Sequence, residues 1–147
     1  MKIVIASDHG GVTIRKEIAA LLEEMQVEYI DLGCGCGASV DYPDYARLAA
    51  DKVASREVDR GILVCGTGIG MSIAANKVKG IRCALVHDTF SARATREHNN
   101  SNMLAMGERV IGPGLARDIV KIWLETPFES GGRHENRVNK IEEMEQV

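Results

Sequence analysis

The sequence predicts an α/β fold, a three-layer α/β/α, Rossmann-like single domain with a five-stranded parallel sheet. Short apolar segments alternate with longer segments of helical periodicity along the whole chain. Such alternation is typical of a parallel sheet that is covered by helices on both faces. No repeat, linker or low-complexity tract divides the 147 residues. We therefore expect one domain that spans residues 1–147.

Each predicted strand is a short apolar run with a polar turn behind it. The run "KIVIAS" is the first, and "RGILVCG" and "IRCALV" have the same character. In chain order the predicted strands are residues 2–7, 28–33, 60–66, 81–86 and 102–107. Ligands of open parallel sheets bind beyond the carboxyl ends of the strands. The polar residues there are Ser7-Asp8-His9, Cys65-Gly66-Thr67-Gly68, His87-Asp88 and Glu108-Arg109.

The predicted helices carry apolar residues at helical spacing. In the first of them Ile14, Ile18, Leu21, Leu22 and Met25 fall on one face. The second opens with a proline at a helix start, a favoured place for that residue. In chain order the predicted helices are residues 13–25, 43–57, 70–78, 88–98, 114–126 and 133–146.

The composition is that of a soluble globular protein in the cytoplasm. Hydrophobic residues make up 45% and charged residues 27%, and the formal net charge is −3. No basic field therefore indicates binding to nucleic acid or to an anionic membrane. The apolar run at residues 3–6 is too short for a signal peptide or a membrane span.

Four cysteines occur, and a reducing cytoplasm argues against disulfides between them. A four-thiolate zinc site is an alternative, but the usual knuckle spacing is missing, and we expect neither a metal nor a cofactor. Cys34 and Cys36 are predicted to be loop residues, and Cys83 a buried strand residue. Only Cys65 has a setting that suggests chemistry.

That setting is the glycine-rich turn "CGTGIG", in which Gly66, Gly68 and Gly70 follow Cys65. The order of the glycines differs from the dinucleotide fingerprint, and no Lys-Ser or Lys-Thr pair of a P-loop follows them. The backbone N–H groups of the turn should form an anion-favouring concavity that stabilises a Cys65 thiolate, as a nucleophile or a general base. The alternative is that Cys65 is a small residue at the end of a buried strand.

Three further groups of residues are candidates, each with a structural alternative. His98 at a helix end favours the protonated imidazole, although a solvated histidine fits there too. Asp8 follows the first strand and could instead cap a helix. Arg133 and Arg137 lie four residues apart on one helical face, a pair suited to phosphate or simply a solvated basic stripe.

The sequence resembles the type B ribose-5-phosphate isomerases, a family that also includes allose- and galactose-6-phosphate isomerases. The matching stretches run from residue 5 to residue 138. They are "IASDHGG", "DYPDYA", "CGTGIGMSIAANK", "GIRCALVHD", "REHNNSNMLAMGERVIG" and "GGRHENRV". The resemblance implies interconversion of ribose 5-phosphate and ribulose 5-phosphate through an enediolate, or the same reaction on a six-carbon sugar phosphate.

The resemblance also implies roles for individual residues. Cys65 matches the catalytic base, and the turn Gly66 to Gly70 matches the anion hole, with Thr67 beside it. His98 matches the acid that opens the sugar ring, and Asp8 assists it. The residues that match substrate and phosphate contacts are His9, Tyr42, Asn99, Arg109, Arg133 and Arg137. The family is at least dimeric, so we expect a homodimer or tetramer whose subunits share each active site.

Within this family the chain resembles the subgroup that uses cysteine. Another subgroup has serine in place of the cysteine and a glutamate in the following helix, where this chain has Ala74 and Ala75. Glu129 and Ser130 both follow Phe128, one residue more than the family pattern has. Two other functions stay open: a non-catalytic phosphate-binding module, and a thiol hydrolase that uses Cys65 and His98.

Overall fold

The computed structural model describes residues 1–35 and 37–146. Its strands are β1 (Lys2–Ser7), β2 (Glu28–Asp31), β3 (Arg60–Cys65), β4 (Cys83–Leu85) and β5 (Met103–Gly107). They form one sheet in the order β2-β1-β3-β5-β4, and all of the pairings are parallel. The five-stranded parallel sheet that the sequence predicts is therefore confirmed.

Six helices and a short 3₁₀ turn accompany the sheet within the described residues. The helices are α1 (Val12–Glu24), α2 (Tyr42–Ala54), α3 (Ile69–Ala75), α4 (Thr89–Asn99), α5 (Pro113–Glu125) and α6 (Arg133–Glu143). The 3₁₀ turn Met144–Gln146 follows α6. No helix in the described part of the chain has the length and apolar character that crossing a membrane requires.

Alternate side chains of the strands build two cores, one on each face of the sheet. Ile3 and Ile5 of β1 belong to the core that α1, α4 and α5 cover. Val4 and Ala6 belong to the other core, which α2 and α3 cover. Because successive strand residues point to opposite faces, the buried run of β1 supplies both cores at once. The three-layer α/β/α architecture follows from this arrangement.

Helix α3 is shorter than the predicted segment 70–78 and ends at Ala75. The next residue, Asn76, turns its side chain to the backbone of β4. Its amide nitrogen donates to the carbonyl of Cys83 at 2.8 Å, and its amide oxygen accepts from the N–H of Cys83 at 2.8 Å. These bonds fix α3 and the preceding glycine turn against the edge of the sheet.

The carboxyl ends of the three central strands lie side by side. Ser7 of β1 pairs with Val64 of β3, and Cys65 of β3 pairs with Gly107 of β5. The segments that follow these strands therefore meet at one edge of the sheet. Helix α6 packs against α4, on the side of the sheet where β4 is the edge strand.

Candidate active site

The glycine turn has a conformation that requires glycine. Gly68 adopts the left-handed region with φ 78°. A Cβ at Gly68 would lie 2.6 Å from Leu85 Cδ1 and 2.8 Å from the carbonyl carbon of Met106. The N–H of Gly68 donates to Cys65 Sγ at 3.0 Å, and Cys65 is 5% exposed. The turn thus aims a backbone donor at the thiol, an arrangement that stabilises negative charge on sulfur.

Cys65 lies in a cavity at the carboxyl ends of the strands. The volume of the cavity is about 480 Å³. Its lining residues are Asp8, His9, Gly10, Tyr42, Cys65, Gly66, Thr67, Ile69, Gly70, Ile73 and Arg109. The structure therefore brings most of the predicted site residues into one concavity. Gly68 is buried and is not among these lining residues, but its N–H donates to Cys65.

Asp8 and His9 form the wall that follows β1. Asp8 is 7% exposed, and its Oδ1 accepts from the N–H of Gly10 at 2.8 Å. The alternative role of Asp8 as a helix cap is wrong, because Gly11 is the N-cap of α1 and the carboxylate of Asp8 accepts from Gly10, which lies before the helix. His9 is exposed, and its Nδ1 accepts from the N–H of Val40 at 3.2 Å. In the neutral ring this bond leaves the proton on Nε2, which can donate to a ligand.

The loop after β5 is bonded to the glycine turn. The N–H of Glu108 donates to the carbonyl of Cys65 at 2.9 Å, and the N–H of Arg109 donates to the carbonyl of Gly66 at 3.0 Å. The guanidinium of Arg109 lies beside Gly66, since a Cβ at Gly66 would be 3.4 Å from Arg109 Cζ. These bonds place a permanent positive charge next to the turn.

Tyr42 closes the cavity on the side of α2. A Cβ at Gly70 would lie 2.5 Å from Tyr42 Cζ, so the absence of a side chain at Gly70 makes room for the tyrosine ring. Thr67 is exposed at the mouth, where its Oγ1 accepts from the N–H of Ile69 at 3.3 Å. Ile69 and Ile73, which were not predicted as site residues, also line the cavity and are 50% and 57% exposed. Their i, i+4 spacing directly after the turn was the one sequence feature that could have indicated their place in the site.

Four predicted residues lie elsewhere on the chain. His98 is in the last turn of α4, and its ring stacks on that of His134 with the centroids 4.2 Å apart and the planes at 10°. Arg133 and Arg137 are exposed on α6, and Asn99 is the exposed last residue of α4. Within the described residues, none of the four lines the cavity that contains Cys65. The prediction that subunits share each active site, which named no residues as the partner's, stays a prediction.

His134 belongs to the stretch "GGRHENRV", and no role was predicted for it. Burial lowers its pKa, and the neighbouring charges of His98 and Arg133 lower it further. The lowered pKa favours the neutral form of His134 in the ring stack with His98.

The other cysteines are placed differently from Cys65. Cys83 is a buried residue of β4, as predicted, and burial raises the pKa of its thiol to about 12. Cys34 lies in the loop after β2, whereas Cys36 lies outside the described residues. In residues 1–35 and 37–146 no cluster of three or more His, Cys, Asp or Glu side chains could hold a metal ion.

Comparisons with known proteins extend over nearly the whole chain. The family described as Ribose/Galactose Isomerase matches residues 3–141. The Bacillus subtilis (strain 168) protein YwlF is 72% identical over 147 residues, which are 99% of this chain and 98% of the relative. The Escherichia coli (strain K12) ribose-5-phosphate isomerase B is 49% identical over 145 residues, which are 99% of this chain and 97% of the relative.

Solved structures agree with these relatives. The ribose-5-phosphate isomerase B of Clostridium thermocellum has a TM-score of 0.97 and 54% identity, covering 99% of this chain and 98% of the other. The Mycoplasma genitalium enzyme, solved with bound ribulose-5-phosphate, has a TM-score of 0.93 and 44% identity, covering 99% and 96%. The resemblance noted in the sequence is thereby confirmed: the chain belongs to the ribose/galactose isomerase family, among the type B ribose-5-phosphate isomerases.

Proposed function

We propose that this chain interconverts ribose 5-phosphate and ribulose 5-phosphate, with Cys65 as the base that moves the proton. The observation that carries the proposal is the Cys65 thiol in a cavity of about 480 Å³, with the N–H of Gly68 3.0 Å from its sulfur. Relatives named for this reaction, which match nearly the full chain, support the choice of substrate.

The chemistry needs a base and an anion site next to each other. The Cys65 thiolate takes the proton from C2 of the open-chain aldose and returns it to C1, while a proton passes from O2 to O1. The intermediate enediolate carries negative charge on an oxygen adjacent to the reacting carbon. Thr67 and the backbone N–H groups of the turn Gly66–Gly70 stabilise that charge. One such donor contributes about 2.7–4 kcal/mol of transition-state stabilisation in comparable sites.

Ring opening and phosphate binding are assigned to the other residues. His98 donates the proton that opens the furanose, with Asp8 assisting, and Asn99 contacts a sugar hydroxyl. His9, Arg109, Arg133 and Arg137 bind the substrate and its phosphate. Because His98, Asn99 and the two arginines of α6 lie outside the cavity of their own chain, they serve the cavity of a second copy. A homodimer is the smallest assembly that completes a site in this way.

The test of the reaction is a comparison of substrates on the purified protein. We expect kcat/KM for ribose 5-phosphate to exceed the values for allose 6-phosphate and galactose 6-phosphate. A preference for a six-carbon phosphate would keep the mechanism and change the substrate. Absence of turnover on all three sugars would contradict the proposal.

Alkylation with iodoacetate separates an isomerase from the two other functions. In an isomerase, a sugar phosphate should protect Cys65 from alkylation, and the alkylated enzyme should be inactive. A non-catalytic phosphate-binding module would show protection without turnover. A thiol hydrolase would release an acyl product in a burst, whereas isomerisation requires no covalent intermediate.

A further inference from the structure

His87 follows β4 and makes a hydrogen bond that only one protonation state allows. Its half-buried imidazole accepts the N–H of Gly107 at Nε2, with a distance of 3.0 Å. A ring nitrogen that accepts a hydrogen bond carries no proton. His87 is therefore neutral in this structure, and its proton is on Nδ1.

The imidazole of His87 accepts a backbone hydrogen bond from β5 that a further residue of β4 would otherwise accept. The N–H of Val86 donates to the carbonyl of Ala105 at 3.0 Å, and the register of β4 with β5 ends at Leu85 and Ala105. Gly107 lies two residues beyond Ala105 in β5. Because the backbone groups of a strand alternate between its two sides, the N–H of Gly107 is directed to the β4 side. At that position the side chain of His87, rather than a backbone carbonyl of β4, accepts the N–H of Gly107.

The peptide that His87 holds supports the proposed catalytic turn. A Cβ at Gly107 would lie 2.6 Å from both Cα and the carbonyl carbon of Thr67, so the two backbones are in direct contact. The next residue, Glu108, donates its N–H to the carbonyl of Cys65 at 2.9 Å. The position of the Gly107 peptide thus sets the positions of Thr67 and Cys65.

The charged groups around His87 leave its neutral form favoured. Burial lowers the pKa of His87, and the adjacent Asp88 raises it by a smaller amount. On the β5 side, Glu108 is bonded through Oε2 to the N–H of Ile14 at 3.0 Å. Arg109, the next residue of that loop, has its guanidinium beside the glycine turn at Gly66.

We propose that neutral His87 is a positioning residue for the glycine turn, and that its protonation lowers isomerase activity on the acid side. The inference rests on the proposed function for its kinetic part. Protonation would place a donor at Nε2 opposite the N–H of Gly107, and the hydrogen bond would be lost. The Gly107 peptide would then move away from β4 and loosen Thr67 and Cys65. Because His87 is absent from the lining of the cavity, we expect the effect in kcat more than in KM.

The first experiment tests the hydrogen bond without reference to catalysis. Nitrogen-15 NMR of the full-length protein reports the tautomer and the titration of each histidine, and His87→Gln assigns the signal. We expect the Nδ1–H tautomer near neutral pH and a titration midpoint below the ordinary value of 6.5. An Nε2–H tautomer, or a midpoint at or above 6.5, would overturn the proposal.

The second experiment compares His87→Gln with His87→Leu between about pH 5 and pH 8.5, a range that spans histidine titration. Glutamine offers an oxygen acceptor that does not titrate, so it should keep most of the activity at the alkaline end and show a shallower fall toward acid. Leucine should lower kcat about threefold to tenfold, the worth of one neutral hydrogen bond. If the leucine variant matches the wild type in kcat and in pH profile, the positioning role is wrong.

Folding and function are controlled separately. If thermal unfolding shows that His87→Leu does not fold, the pH profile of His87→Gln alone decides the kinetic part: an acid limb as steep as that of the wild type overturns it. If the wild type isomerises no sugar phosphate, the proposed function fails. In that case the NMR titration still decides whether His87 holds Gly107 as a neutral acceptor.

Discussion

The cavity around Cys65 and the face formed by α4 and α6 hold their functional residues in different ways. Cys65 and Asp8 are buried, and each accepts a backbone N–H from its own turn. Arg133 and Arg137 are exposed, and His98 is held by a ring stack. The residues of the cavity are therefore fixed by backbone hydrogen bonds, whereas those of the α4–α6 face are exposed or held by a ring contact. Under the proposed function, the two regions are complementary halves of a shared site, one for proton transfer and one for ring opening and phosphate binding.

Removing the thiol from the cavity should have the largest effect. We expect Cys65→Ala to lower kcat/KM for ribose 5-phosphate about 10³-fold or more, since it deletes the base. The matched control is Cys83→Ala, which removes a buried thiol from β4 and should keep near-wild-type turnover. The measurement is steady-state kinetics together with thermal unfolding. Similar kinetic losses in the two variants would contradict the assignment of Cys65.

Mixing the two halves tests the comparison directly. Cys65→Ala and His98→Asn should each be nearly inactive when pure, because every shared site lacks one group. After co-expression, a hybrid dimer has one site with both groups intact and one with neither. With random pairing, half the dimers are hybrids, so about one quarter of the wild-type activity should return. If co-expression restores no isomerase activity, the Cys65 and His98 that act together belong to the same chain.

Neutralising the arginines of α6 should have an intermediate effect. Each charge-assisted phosphate contact contributes about 1.5–3 kcal/mol, so Arg133→Ala and Arg137→Ala should each lower kcat/KM about tenfold to 150-fold. The rise in KM and the loss of inhibition by inorganic phosphate are the measurements, with Lys140→Ala on the same helix as the control. If both arginine variants keep the wild-type kcat/KM and phosphate inhibition, the two arginines form only a solvated basic stripe.

The smallest expected effect concerns Cys83 and stability at alkaline pH. Its folded-state pKa of about 12 lies above its ordinary value of 9.0. Above pH 9 the unfolded chain therefore loses this proton before the folded chain does, and stability falls as pH rises through that window. The slope from this one group approaches about 1.4 kcal/mol per pH unit. Urea unfolding at several pH values should show a steeper alkaline decline in the wild type than in Cys83→Ala.

The sequence predicted the fold well because strand–helix alternation is a local pattern. The glycine turn was also predictable, since Gly66, Gly68 and Gly70 follow a strand end within a few residues. The division between the cavity and the α4–α6 face was harder, because it depends on strand order and helix packing. The bond from Gly107 to His87 joins the end of β5 to the segment after β4, twenty positions away along the chain, so no local pattern contains it. The alternative that Asp8 caps a helix was wrong for a local reason: α1 begins four residues later, at Val12.

The two hydrogen bonds from the Asn76 side chain to the backbone of β4 have a consequence for how copies of this chain associate. β4 is an edge strand, and such strands offer unpaired N–H and C=O groups that can recruit another chain into a continuous sheet. The amide of Asn76 occupies both backbone groups of Cys83, on a strand of only three residues. That edge is therefore a poor template for strand addition, which protects the protein from aggregation. In the proposed homodimer, any contact made at this edge would therefore have to be formed by side chains rather than by backbone pairing.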